Sequence, residues 1–523
     1  MMALSKRRWG RPGGRLRLLA SLALLGGLVS LARQTRGDQP APFIHPGILV
    51  SRAQLDFVKA QITAGTEPWA SAFARVKADH YGDMTYQPHP PVAQAATDKD
   101  PATTDGIVVC GSFSDPDVHC THEKDDGVAA YTQALLWYFS GDEAYAQKAV
   151  EILNGWATLK RHTGFNTALQ ASWMGTQFAR AAEIMQFSYP KWSAAEVSAF
   201  KTMMRNTYLA DLQVGLPGVA RKGDAAYGQN GNWMLSIADN LIQIGVLLDD
   251  RGVFNQGVDL WRNRTPAYCY YSAWDGAHPA LPCSGYAGTG TGYASMPGRT
   301  VDPYGYFGQA GGMGPAADPI PLGDGGAADG GADAGVVPTI FRTLPDGLSQ
   351  ETCRDIEHVQ YGLAAMMNGA ETARIQGVDL YREQAPRIVA CMEYAAALVN
   401  QAPTDPITGK VLAYKTPLTQ DVTVPGADPT ICPNKNGVST VKLLGSGAVG
   451  ALGKDFVPQP TWEIGFNALV NRLHLSMPET AKLLKTLRAP PDGWVGATHH
   501  IGWETLTHGD VGSVGLAATT CGP

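Results

Sequence analysis

Between Glu351 and Asn368 the chain carries a guanidinium, an imidazole and a phenol at spacings that put them on one side of a helix. At 3.6 residues per turn, Ile356, Val359, Leu363, Met366 and Ala370 form an apolar stripe, and Arg354, His358, Tyr361 and Asn368 gather opposite it. A fixed cation one turn from a group that titrates near neutral pH can hold a carboxylate and move a proton, provided the stripe faces a cleft rather than bulk water. A second stretch is built alike. From Asn232 onward, Ile237, Leu241, Ile244 and Leu248 are apolar, while Asn232, Ser236 and Asp239 lie opposite. The plain alternatives are an Arg354 pair with Asp355 or Glu357, a structural His358, and an Asn232 that only caps its helix.

Both stretches need a frame, and the remaining periodicity supplies helices. Ser51-Arg52-Ala53-Gln54 has the form of a capping box opening a helix that stops at Gly65, and a second follows Pro68. Residues 80–123 show no clear period and read as a loop. Further helices are expected over Val128–Phe139, Ala144–Leu159, about Leu169–Phe187, and from the Ser193 capping box through Leu212. Others follow over Phe254–Arg264, 349–376, 379–400, Thr461–Leu473 and Pro478–Leu487. Residues 265–344, with a Gly323 to Gly335 tract too poor to build a core, and residues 402–460 read as irregular insertions. Strand signals are sparse. Antiparallel helix pairs without strands predict an all-α fold, an (α/α) toroid closed or partly closed, as a single domain over 33–523. No fixed-period sequence repeat accompanies it.

The first 32 residues read as an export signal: a basic start (Lys6, Arg7, Arg8, Arg11, Arg15, Arg17), an apolar run from Leu18 to Leu31 and Ser30-Leu31-Ala32 for cleavage. That segment holds six of the 41 Lys and Arg and none of the 47 Asp and Glu, so its removal takes the formal charge from −6 to −12. An acidic chain of this kind argues against nucleic acid and, once the signal is cleaved, against a membrane as partner. A secreted or periplasmic location permits disulfides among the eight cysteines, with Cys110/Cys120 and Cys269/Cys283 close enough in sequence to pair locally. No CxxC occurs, and His499-His500 lacks a ligand cluster, so no metal and no cofactor is expected.

Several stretches resemble the alginate lyase superfamily of polysaccharide lyases. They are His45-Pro46-Gly47, Ala130-Tyr131 with Leu135-Leu136-Trp137-Tyr138 and Gly141-Asp142, Ala181-Ala182-Glu183-Ile184-Met185, Asn232-Trp233, Arg354-Asp355 with His358 and Gln360, and Gln376-Gly377-Val378-Asp379-Leu380-Tyr381. The resemblance implies an (α/α) toroid that cleaves an anionic polysaccharide of 4-linked uronates by β-elimination, with Asn, His, Arg and Tyr as catalytic types. On this chain those are Asn232, His358, Arg354 and Tyr414, the last in the loop where the family's tyrosine is expected. Tyr361, which shares the face of His358, is the alternative to Tyr414. Gln170, Trp173, Trp233 and Tyr361 are candidates for lining the sugar subsites, against the ordinary reading of tryptophans as core. Alginate of the mannuronate type is the expected substrate, with β-1,4-glucuronan second. Two rival readings remain: a toroid hydrolase using Asp239 and Glu351, and an inactive polysaccharide-binding protein.

Overall fold

The structure is a computed structural model that describes residues 41–112, 115–216, 231–271, 273, 346–352, 356–401, 421–423, 440–442, 462–488, 498–500 and 502–512. It divides into Met1–Phe43 and Ile44–Pro523, and all the described helices and strands belong to the second unit. The expected export signal, the Gly323–Gly335 tract, Cys283, Arg354 and Tyr414 lie outside the described residues.

Caps written in the sequence start and stop the helices. α1 (Arg52–Thr63) begins at Ser51, whose hydroxyl accepts from the Gln54 N–H, and α2 (Trp69–Ala78) follows Pro68. α3 (Cys120–Ser140) ends at Gly141 with φ +75°, where a side chain would be strained. Asp142 then accepts from the Ala144 N–H to open α4 (Glu143–Trp156). α5 spans Thr167–Ser188. The complete Ser193–Glu196 capping box opens α6 (Ala194–Met203), which runs through a π-helical turn (Met204–Leu209) into α7 (Ala210–Val214). α8 (Asn232–Leu247) and α9 (Arg251–Tyr268) form a tight hairpin. α10 (Ile356–Ile375) and α11 (Leu380–Val399) form another. α12 (Trp462–Phe466) continues as a π-helical turn (Asn467–Arg472), and then come α13 (Pro478–Arg488), a 3-10 turn (Thr498–His500) and α14 (Glu504–His508).

Neighbour contacts run from α1 and α2 to α3, on to α5, α8, α10 and α12, and through α14 back to α1 and α2. The inner helices therefore close a ring. α4, the α6–α7 run, α9, α11 and α13 pack outside it. This is the expected all-α (α/α) toroid. Position in the ring explains composition: every residue of the inner helix α8 is buried, whereas its outer partner α9 keeps a polar side. The two helices cross closely, since a Cβ on Gly257 would lie 2.6 Å from the Ile242 backbone nitrogen. Among the described residues no helix is long and apolar enough to cross a membrane.

Four expectations need correcting. Residues 80–123 are not all loop, because β1 (Ile107–Ser112) pairs antiparallel with β2 (Asp115–Val118) and parallel with β3 (Arg161–Thr163). These strands are too short to show alternation, and β2 is Asp-Pro-Asp-Val. Within 402–460, β4 (Asp421–Thr423) pairs with β5 (Thr440–Lys442). The helix expected over 349–376 begins at Ile356, and Ser349–Thr352 form a turn closed by the Ser349 N–H donating to Thr352 Oγ1. Finally, Cys110 bonds Cys120 as expected, but Cys269 bonds Cys391, not Cys283. The end of α9 packs where α11 passes, so proximity in the fold overrides proximity along the chain. Opening that 122-residue separation by Cys391→Ser should lower stability by about 2–4 kcal/mol, read as a lowered urea midpoint that reductant reproduces in the wild type.

Candidate active site

The N-terminus of α8 is held by side chains from the turn before α10. Gly231, at φ +59°, donates its N–H to Gln350 Oε1 at 2.8 Å, and the Asn232 N–H donates to Glu351 Oε2 at 2.9 Å. Asn232 Nδ2 donates to Glu351 Oε1 at 2.7 Å. One carboxylate thus satisfies an otherwise orphaned helix N–H and sits at the positive end of the helix dipole. The Tyr268 hydroxyl lies 3.1 Å from Glu351 Oε2 and 3.3 Å from the His358 carbonyl oxygen. Asn232 and His358, far apart along the chain, are therefore two ends of one hydrogen-bonded clamp. Asn232 is fully buried, with its Nδ2 held by Glu351. Asn232→Ala should cost about 1.5–3 kcal/mol, the range for a hydrogen bond to a charged group, measured by denaturant unfolding.

The polar face of α10 meets α5 and the 3-10 turn in an aromatic cluster. His358 is half-buried, and its ring stands edge-on to Tyr361 with centroids 5.5 Å apart. The Tyr361 hydroxyl donates to Glu357 Oε1 at 3.0 Å, one turn back on the same helix. Trp173, half-buried on α5, lies 5.8 Å from Tyr361. His499 sits 4.1 Å from Trp173 and 5.4 Å from Tyr361, and the buried His500 is 6.1 Å from Tyr361. Of the expected site residues, the fold brings His358, Tyr361 and Trp173 together. Gln170 instead points its amide at Glu123 Oε2, 2.7 Å away, and at the Cys120 carbonyl. Trp233 is buried under Phe165, whose ring is half exposed at 5.9 Å. His499 and His500 were expected only to fail as metal ligands, and nothing in their spacing signals that they meet Trp173 and Tyr361. Among the described residues no group of His, Cys, Asp and Glu could hold a metal ion.

Behind Gln170, His162 is fully buried between two carboxylates, with Nε2 2.8 Å from Glu123 Oε1 and Nδ1 2.9 Å from Asp211 Oδ2. Tyr208, supplied by the π-helical turn, also donates to Glu123. Burial alone would lower the His162 pKa, but the pull of Glu123 and the hydrogen bonds to Asp211 and Glu123 lift it to about 10. Deeper in the ring, Asp239 accepts from Gln243 Nε2 at 2.6 Å, 3.8 Å from Arg180, and burial pushes its pKa up to about 7 against both. Burial, then the neighbouring Arg180 charge, pushes His500 down to about 3, so this imidazole is neutral. Asp239 and Glu351, the carboxylates of the hydrolase reading, are both buried and both engaged by protein donors.

Residues 73–268 match the family model described as alginate lyase. Among solved structures, an alginate lyase from Bacteroides ovatus is 14% identical, with 68% of this chain and 84% of that one covered at a TM-score of 0.43. Alginate lyase A1-III from Sphingomonas species A1 is 15% identical, with 70% and 82% covered at a TM-score of 0.39. A variant of alginate lyase A1-III complexed with a tetrasaccharide is 16% identical, with 72% and 87% covered at a TM-score of 0.41. No curated protein matches the chain.

Proposed function

We propose that this polysaccharide lyase cleaves a 4-linked polyuronate, alginate of the mannuronate type, and does so after export. The observation that carries the reading is the edge-on placement of His358 against Tyr361, 5.5 Å between centroids, on an inner helix of the ring. Elimination needs a base for the C5 proton, a partner for the charge that builds on the carboxylate, and an acid for O4. His358 is assigned the base. It takes the C5 proton, the C5–H electron pair becomes the C4=C5 double bond, the C4–O4 bond breaks, and Tyr361 gives its proton to O4. Tyr361 takes this role in preference to Tyr414 because its ring lies against His358 and its hydroxyl is oriented by Glu357. Arg354, two positions before the start of α10, is assigned the carboxylate. Asn232 acts as a positioning residue that fixes Glu351 and, through Tyr268, the start of α10.

Export is supported by the basic and apolar opening of the chain and by two disulfides, which persist in oxidising compartments. The test is a panel of polymannuronate, polyguluronate, glucuronan and hyaluronan read by the ultraviolet absorbance of the unsaturated end. Absorbance rising on polymannuronate first supports the reading. New reducing ends without that absorbance would reveal a hydrolase, and binding without either product an inactive receptor.

A further inference from the structure

We infer that His499 is a further substrate-contacting residue of the lyase site, sharing contact with Tyr361 alongside His358 and hydrogen-bonding the uronate unit that reacts there. Both imidazoles stand nearly perpendicular to the Tyr361 ring, at 82° for His358 and 74° for His499, with centroids 5.5 and 5.4 Å away. Tyr361 itself is buried, whereas His358 and His499 are each half-buried. The two partly exposed imidazoles thus share contact with the phenol that delivers the proton.

His499 is held firmly enough to serve. The Thr498–His500 turn packs on α3, α5 and α10 together, so three inner helices fix its place. The indole of Trp173 lies against it at 4.1 Å, and the next residue, His500, is 2% exposed and anchors the turn from inside the ring. Both His500 ring nitrogens lack a hydrogen-bond partner among the described residues, so the buried end of the turn carries polar atoms. In a chain with a net charge of −6, an imidazole at this point offers an anionic sugar a local donor against the global field.

The inference rests on the lyase reading, and two variants separate it from that reading. His499→Phe keeps an aromatic ring against Trp173 and Tyr361 but removes both nitrogens, and His499→Ala removes the ring. Each should lower kcat/KM on the cleaved polyuronate by about 100-fold, the scale of losing one positioning contact, mainly through KM. Melting temperature should stay at the wild-type value for the Phe variant, and His499→Gln should recover part of the loss. Wild-type kcat/KM in His499→Phe would overturn the inference alone, since packing would then be the only role of the ring. A wild type that forms no unsaturated product from any polyuronate would overturn the lyase reading and this inference with it.

Discussion

Tyr361→Phe should reduce turnover of a polyuronate by about 10²–10⁴-fold, the usual contribution of a positioned general acid, and leave the ring standing. The substitution is clean because the tyrosine ring makes the packing contacts, with Trp173, His358 and His499, and a phenylalanine ring keeps them. What disappears is the hydroxyl and with it the bond to Glu357 Oε1. Glu357 is half-buried and can turn to water, so the stability change should stay within about 1 kcal/mol. A rate near that of the wild type would move the acid to Tyr414, and Tyr414→Phe assayed beside it shows which phenol is needed. His358→Gln should fall as far, because the base and the acid act in the same step.

His162→Gln should cost about 3–5 kcal/mol, the range for removing one member of a buried ionic group. Glu123 and Asp211 lose the cation between them, and Tyr208 and Gln170 remain bonded to a carboxylate with no counterion. The loss has a pH signature. The His162 pKa is about 10 in the fold and near 6.5 in the unfolded chain, so the native state holds the extra proton between those values. The contribution is complete below about pH 6.5, shrinks by up to about 1.4 kcal/mol per pH unit above it, and is gone once pH passes about 10. Melting curves from pH 6 to 10 should therefore slope downward in the wild type and flatten in His162→Gln. Parallel slopes in the two proteins would place the sensitivity elsewhere.

The parts legible in the sequence were those written locally. Ser51, Asp142 and Ser193 cap the helices they precede, and Gly141 ends α3, because a cap is settled within four residues. The stripe of His358 and Tyr361 was readable for the same reason. Nothing local, however, distinguishes an asparagine that meets substrate from one that meets Glu351, because the difference is made by a turn more than a hundred residues later. Cys269 chose Cys391 on the same non-local basis. His499 carried no pattern at all. Its neighbours Trp173 and Tyr361 come from two other helices, and the apposition exists only once the ring is assembled.

That assembly depends on late residues meeting early ones. Gln54 donates to the Thr507 carbonyl at 2.8 Å, and His508 Nε2 lies 3.2 Å from the Leu49 carbonyl, across more than 450 positions of chain. A polypeptide emerging from a ribosome has no circular wall until residue 508 is free, and the imidazole at 499 arrives almost as late. Folding of such high contact order is slow. The emerging chain should therefore stay exposed to proteolysis, its ring unclosed, until the segment around Thr507 and His508 appears.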